Sequence, residues 1–344
     1  MLEVAEKLMV EGRLEPGEYE TLLDSYSPGL AERLADVARR RCESIYGDEV
    51  FARGLIEFTN HCRNDCLYCG IRKSNAEVRR YRLTAEDVLE CTDTGYELGF
   101  RTFVLQGGED PAVTDEWLAP LVQAIKHRHP DCAITLSLGE RSFESYRRLR
   151  DAGADRYLLR HESASSEHYS KLHPRSMRLE SRLRCIRDLR ELGYVVGIGF
   201  MVGSPFQTSS DLAQDLHLVQ ELAPEMCGIG PFIPHHATPF ARYPAGSVEL
   251  TCFLLSIIRI ANPRMLLPAT TALGTADPRG REKAIEAGAN VVMPNLSPVS
   301  VRKDYELYDE KVCTGEEAAE CRGCLAARML TVGKRIVIDR GDPR

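Results

Sequence analysis

The chain has 344 residues, 43% hydrophobic and 28% charged, which is ample for a large core and long for one domain unless the fold is an α/β barrel. A net charge of −7 gives no electrostatic reason to bind nucleic acid or an anionic membrane, so neither is expected as a partner. Twelve cysteines behind a charged start that lacks an apolar export stretch point to a cytoplasmic protein, where clustered thiols bind metal more readily than they pair.

Residues 2 to about 48 read as helical. Leu2, Leu8 and Val10 mark a first piece, Pro16 and Glu18 open a second, and Pro28 starts a third with Leu30, Leu34 and Val37 at helical spacing. After Gly47, short apolar runs alternate with charged, helix-period segments. The runs are 54–60, 102–107, 133–138, 156–160, 195–201, 227–232, 265–268 and 290–294. The greasiest stretch, 194–203, is far too short to span a bilayer. Thr84 and Asp87 form a capping-box start, and 142–152, 180–192 and 209–222 have amphipathic spacing. Gly99, Gly153, Gly193 and Gly288 stand where helices end before the next strand. The expected architecture is α/β: an N-terminal helical extension over 1–48, a closed (β/α)8 TIM barrel over 49–330, and a C-terminal tail over 331–344.

In such a barrel the chemistry sits at the C-terminal ends of the strands. The polar and glycine-rich signals follow the runs in that way: Cys62, Cys66 and Cys69 after the first, Gln106 to Glu109 after the second, Ser137 to Glu140 after the third, and Arg160 to Glu162 after the fourth. Gly203 to Pro205, Pro231 to His236, Thr270–Thr271 and Asn295 follow the others. All should converge on one mouth.

Three thiolates in eight residues can hold three corners of a cubane iron–sulfur cluster, for which full ligation takes four cysteines. One iron would stay open to a small molecule. The competing use is a zinc site, with His61 as a fourth ligand. A second triad, Cys313, Cys321 and Cys324, lies near the C-terminus; the remaining cysteines read as small buried hydrophobes. His235–His236 reads as loop or capping residues, because adjacent histidines on an extended strand face opposite ways. The basic stretches 171–178 and 79–82 read as solvated faces.

The spacing Cys-x3-Cys-x2-Cys, with Tyr68 before the last cysteine, resembles the signature of the radical S-adenosylmethionine (SAM) superfamily. That resemblance implies a 4Fe–4S cluster on Cys62, Cys66 and Cys69, whose open iron is chelated by SAM. It implies SAM contacts from the backbone of Gly107, Gly108 and Glu109, from Arg160 and Glu162, from Arg182 to the carboxylate, and more weakly from Ser137. The segments 228–235, 268–274, 288–295 and Leu307–Tyr308 are similar to the HydE family of FeFe-hydrogenase maturases, in the same order. This implies an inner cavity lined by Met226, Thr270, Thr271, Met293 and Tyr308 that holds a small organometallic iron–cysteine precursor. It also implies a 2Fe–2S unit on Cys313, Cys321 and Cys324, a low-potential electron donor, and other hydrogenase maturation proteins as partners. Two alternatives stand beside it: a methylornithine synthase or biotin synthase-like enzyme on the same barrel, and a non-enzymatic iron–sulfur carrier or scaffold.

Overall fold

The computed structural model describes residues 2–312, 314–315 and 318–344; the side chains of residues 2 and 318–321 lie outside that set. Eleven strands are present among these residues: β1 Glu49–Ala52, β2 Gly54–Thr59, β3 Thr102–Gly107, β4 Ala133–Ser137, β5 Arg156–Leu158, β6 Val195–Ile198, β7 Met201–Val202, β8 Met226–Cys227, β9 Gly230–Pro231, β10 Val291–Val292 and β11 Arg335–Val337. A parallel sheet runs β2-β3-β4-β5-β6-β8. It closes through single parallel bridges, Met226 to Leu266, Pro268 to Val291 and Asn295 back to Leu55. The expected closed barrel is therefore present.

The last two runs are thinner than expected. Pro268 and Pro294 have no N–H to give to a ladder, so 265–268 and 290–294 contribute bridges and the two-residue β10 in place of full strands. The fifth and sixth runs each split in two, into β6 and β7 and into β8 and β9. The breaks fall at Gly199 and Gly228, whose backbones press together so closely that a Cβ on Gly199 would overlap the Gly228 carbonyl. Glycine pays for that contact in strand stability and delivers the ends of β7 and β9 to the mouth.

Three N-terminal helices, Leu2–Glu11, Pro16–Asp24 and Pro28–Tyr46, begin where the prolines indicate, the third capped by Ser27. Val10 is exposed, so it marks the solvent side of the first helix. The extension packs over Val248–Ala261, a helix buried on nearly every side that the amphipathic pattern does not reveal. Thr84 and Asp87 form the reciprocal cap of Ala85–Glu97, and Gly99, Gly153, Gly193 and Gly288 all take positive φ.

Residues 335–344 seal the floor. β11 pairs with β1, and the Arg340 carbonyl accepts hydrogen bonds from Thr102 Oγ1 at 2.6 Å and from buried Arg156 at 2.8 Å. Arg156 also meets Asp342 at 2.6 Å. Among the described residues no helix is long and apolar enough to cross a membrane.

Candidate active site

Strand β2 ends at Thr59, and the chain then turns across the mouth with Cys62, Cys66 and Cys69. Burial pushes all three thiols up, Cys69 to about 12; charge on Cys62 raises Cys66 and Cys69 further, and charge on Cys69 raises Cys66. Neutral thiols are the stable form there unless a metal shares the charge. Among the described residues the three sulfurs are not drawn together within 4.8 Å, as a single tetrahedral ion would require, and His61 does not line the cavity that they face. The donor set suits a cluster and does not suit a Cys3His zinc site. A Cβ on Gly108 would overlap the His61 carbonyl and come within 2.8 Å of Cys62 Cβ, so only glycine lets the loop after β3 press against this turn.

Tyr68 is fixed from behind. His173 Nδ1 lies 2.9 Å from the Tyr169 carbonyl and so carries the proton, which leaves Nε2 to accept from the Tyr68 hydroxyl at 3.2 Å. Burial holds His173 down to about 3, so it stays neutral.

Every residue assigned above to the first cluster, to SAM or to the inner wall lines one cavity of about 350 Å³. This includes Ser137, Gly107, Thr271, Met293 and Tyr308. Arg182, on the helix Leu179–Glu191, is buried between two carboxylates, Glu140 at 3.0 Å and Glu109 at 3.6 Å. Glu109 is itself held by Arg63 Nε at 3.1 Å and by the Glu140 N–H at 3.1 Å. Arg160 and Glu162 lie beyond the three-residue β5 and meet at 3.1 Å. Glu162 sits at φ 65°, a left-handed conformation rare for a non-glycine residue, pinned by its N–H to the Gly199 carbonyl at 3.0 Å.

Three charged residues in this cavity escaped the sequence reading. Arg53, just before β2, is fully buried; Nη1 lies 3.0 Å from Met226 Sδ, while Nε and Nη2 have no partner. Burial, with Arg156 nearby, pulls its proton affinity well below the usual guanidinium range. The hydroxyls of Thr135 and Thr270 are also buried and unpartnered. Glu57 in β2 accepts from Lys311 Nζ at 2.6 Å and from Asn295 Nδ2 at 2.8 Å, and Lys311 also donates to the Tyr305 carbonyl at 2.8 Å.

The segment 305–311 crosses the mouth beside the cluster turn, where the Gly70 N–H donates to the Leu307 carbonyl at 2.8 Å. His235 Nδ1 accepts from the Ala237 N–H at 3.1 Å and His236 Nδ1 lies 2.7 Å from Asp309, so these histidines fasten loops and do not line the cavity. The second triad is elsewhere. Cys324 is exposed on the helix Ala318–Leu330 and does not line the cavity; Cys313 and the side chain of Cys321 lie outside the described residues.

The sequence pattern of the Radical SAM superfamily matches residues 56–219. The chain is 44% identical over 303 residues to the FeFe-hydrogenase maturase subunit HydE of Thermotoga maritima, covering 88% of this chain and 85% of that protein. It is 28% identical to 3-methylornithine synthase of Methanosarcina acetivorans, covering 88% of this chain and 86% of that one. The crystal structure of methylornithine synthase superposes with a TM-score of 0.84 at 26% identity, over 97% of both chains.

Proposed function

The chain belongs to the HydE family of FeFe-hydrogenase maturases and is a radical SAM enzyme, and on that premise we propose that its substrate is a small organometallic iron–cysteine precursor held in the inner cavity. The family implies a 4Fe–4S cluster and SAM. Cys62, Cys66 and Cys69 would hold the cluster, which when bound supplies the electron that splits the SAM sulfonium into methionine and a 5′-deoxyadenosyl radical.

The residues of the chain do the positioning. Arg182, already balanced by Glu109 and Glu140, presents a fixed guanidinium for the SAM carboxylate, and bidentate geometry favours that pairing. Glu162, held by Arg160 at 3.1 Å, presents its carboxylate to the same cavity, where it would accept from the ribose or amino group. The glycines at 107 and 108 bring backbone close to the cluster turn, and Ser137 adds a polar contact on the same wall.

Deeper in, Arg53, Thr135 and Thr270 present buried donors without partners, which suits cyanide nitrogens or a carboxylate on an anionic metal complex. Met226 and Met293 give soft, adaptable walls beside them. The closed barrel would exclude water from the space in which that radical meets the precursor. The observation that carries this reading is the shared cavity: thiols, SAM-binding residues and unpartnered donors face one another in one space.

The methylornithine synthase alternative needs a carboxylate free to receive a lysine ammonium. Glu57, Glu109 and Glu162 each already face a cation, Lys311, Arg63 with Arg182, and Arg160 respectively. This favours the metal-complex reading. We also assign Cys313, Cys321 and Cys324 to an accessory 2Fe–2S unit, residues 49–330 to the catalytic barrel flanked by the 1–48 extension and the 331–344 tail, and the whole to the cytoplasm. Other hydrogenase maturation proteins then receive the product. The test is anaerobic reconstitution followed by reduction with SAM. About four irons at the first site and release of 5′-deoxyadenosine support the assignment; tight lysine binding with 3-methylornithine as product overturns it.

A further inference from the structure

We infer that the exposed basic segment 171–178, together with Lys73 on the cluster turn, is the docking surface for the protein that delivers the electron: an acidic, low-potential one-electron carrier. The inference rests on the radical SAM reading and supplies the partner that this reading requires.

In sequence the segment is an ordinary solvated face, but in the fold it lies on the turn that carries the cluster ligands. The Leu67 N–H donates to the Leu172 carbonyl at 2.9 Å, Tyr68 bonds His173 at 3.2 Å, and Met177 Sδ stands 3.8 Å from Cys66 Sγ. Met177 is half-buried between exposed Arg175 and exposed Arg178, so one sulfur links this surface to a cluster ligand. Electron transfer falls steeply with distance, which favours docking where the protein between surface and ligand is one side chain thick.

The charge is also available. Among the described residues Arg175, Arg178 and Lys73 form no ion pair, and the Lys73 N–H ties that residue to the Asn64 carbonyl at 2.8 Å, within the cluster turn. Lys171 is committed to Glu167 and Asp65 to Arg72, while Glu180 is the exposed unpaired acid on this segment's border. Three cations less one carboxylate leave +2 here on a chain of net −7. The acidic remainder of the surface repels an acidic partner, so a local positive patch steers that partner to one place. Redox partners of this kind use small, transient interfaces, so steering matters more than area. In the transfer one electron leaves the carrier's reduced cofactor and arrives at the cluster; no bond is made or broken and no proton moves.

The probe is flavodoxin, an acidic one-electron carrier, with the anaerobically reconstituted protein. Calorimetric binding should weaken steadily as salt is raised. Arg175→Glu combined with Arg178→Glu should weaken binding roughly 10-fold at low salt and lower flavodoxin-driven SAM cleavage by a similar factor. Dithionite-driven cleavage should stay within about two-fold of the unaltered protein, because a small reductant needs no docking surface. Arg33→Glu with Arg40→Glu, on the N-terminal helices, should leave flavodoxin binding within about two-fold. Flavodoxin binding and flavodoxin-driven cleavage that ignore the reversal at 175 and 178, or that respond equally to the reversal at 33 and 40, overturn the docking surface. Failure of dithionite to drive cleavage in the unaltered protein sinks the radical SAM reading instead, so the two failures are distinct.

Discussion

The first cysteine triad and Cys324 of the second use the same side chain in different surroundings. Cys62, Cys66 and Cys69 leave the end of a barrel strand and stand half-buried facing one cavity, with Arg182 and Arg80 as the nearby cations. Cys324 stands exposed on a peripheral helix, remote from that cavity. The difference teaches that ligand count alone does not make a reactive centre. What distinguishes the first site is the enclosure around it: glycine contact, fixed aromatic, paired arginine and unpartnered donors within one volume.

The largest effect should come from breaking the first site. Cys66→Ala should drop SAM cleavage to background, whereas replacing Cys313, Cys321 and Cys324 together should cost only a few-fold in cleavage and remove about two irons; product chromatography and iron analysis read both. Cleavage that depends equally on both triads would erase the contrast drawn above.

Next in size is Arg182→Ala, which leaves half-buried Glu140 without its cation and Glu109 with Arg63 alone, as well as removing the proposed SAM carboxylate partner. An affinity loss of about 100-fold is expected, with partial rescue by Arg182→Lys, measured by SAM titration. The Glu57–Lys311 pair sharpens the point about enclosure, since both side chains are buried. Lys311→Met should destabilise the fold by about 3–5 kcal/mol by stranding the carboxylate, and adding Glu57→Met should recover most of that in denaturant unfolding. A single and a double variant of equal stability would show that the pair does nothing for the strap over the mouth.

The smallest effect is on pH. Burial raises Cys69 from 9.0 to about 12, so the metal-free fold keeps a proton that the unfolded chain releases. That contribution to stability is present below about pH 9 and is lost as pH climbs towards about 12. In metal-free protein at pH 8, alkylation followed by mass spectrometry should therefore label exposed Cys324 well before Cys69.

Much of this was legible in the sequence because local chemistry wrote it there. Prolines 16 and 28 open helices, Thr84 and Asp87 cap one, and glycines end that one and three more, each a property of a few neighbouring residues. The cysteine turn and the polar residues that line the cavity with it were readable because they follow strands in fixed order. The inward charges were not. Glu57 meets Lys311 across 254 residues, and Arg53 precedes an apolar strand as any surface arginine would. Only barrel closure turns those side chains inside. The helix Val248–Ala261 escaped for the opposite reason: covered on both sides, it has no polar face to set a period.

The central claim is that three half-buried thiols and the residues proposed to bind SAM share one space around an iron that the protein leaves open. Electron paramagnetic resonance of the reduced, anaerobically reconstituted protein, recorded with and without SAM, tests it directly. The account predicts a 4Fe–4S signal that changes shape when SAM is added; a signal indifferent to SAM, or a zinc-filled site with no signal, would contradict it.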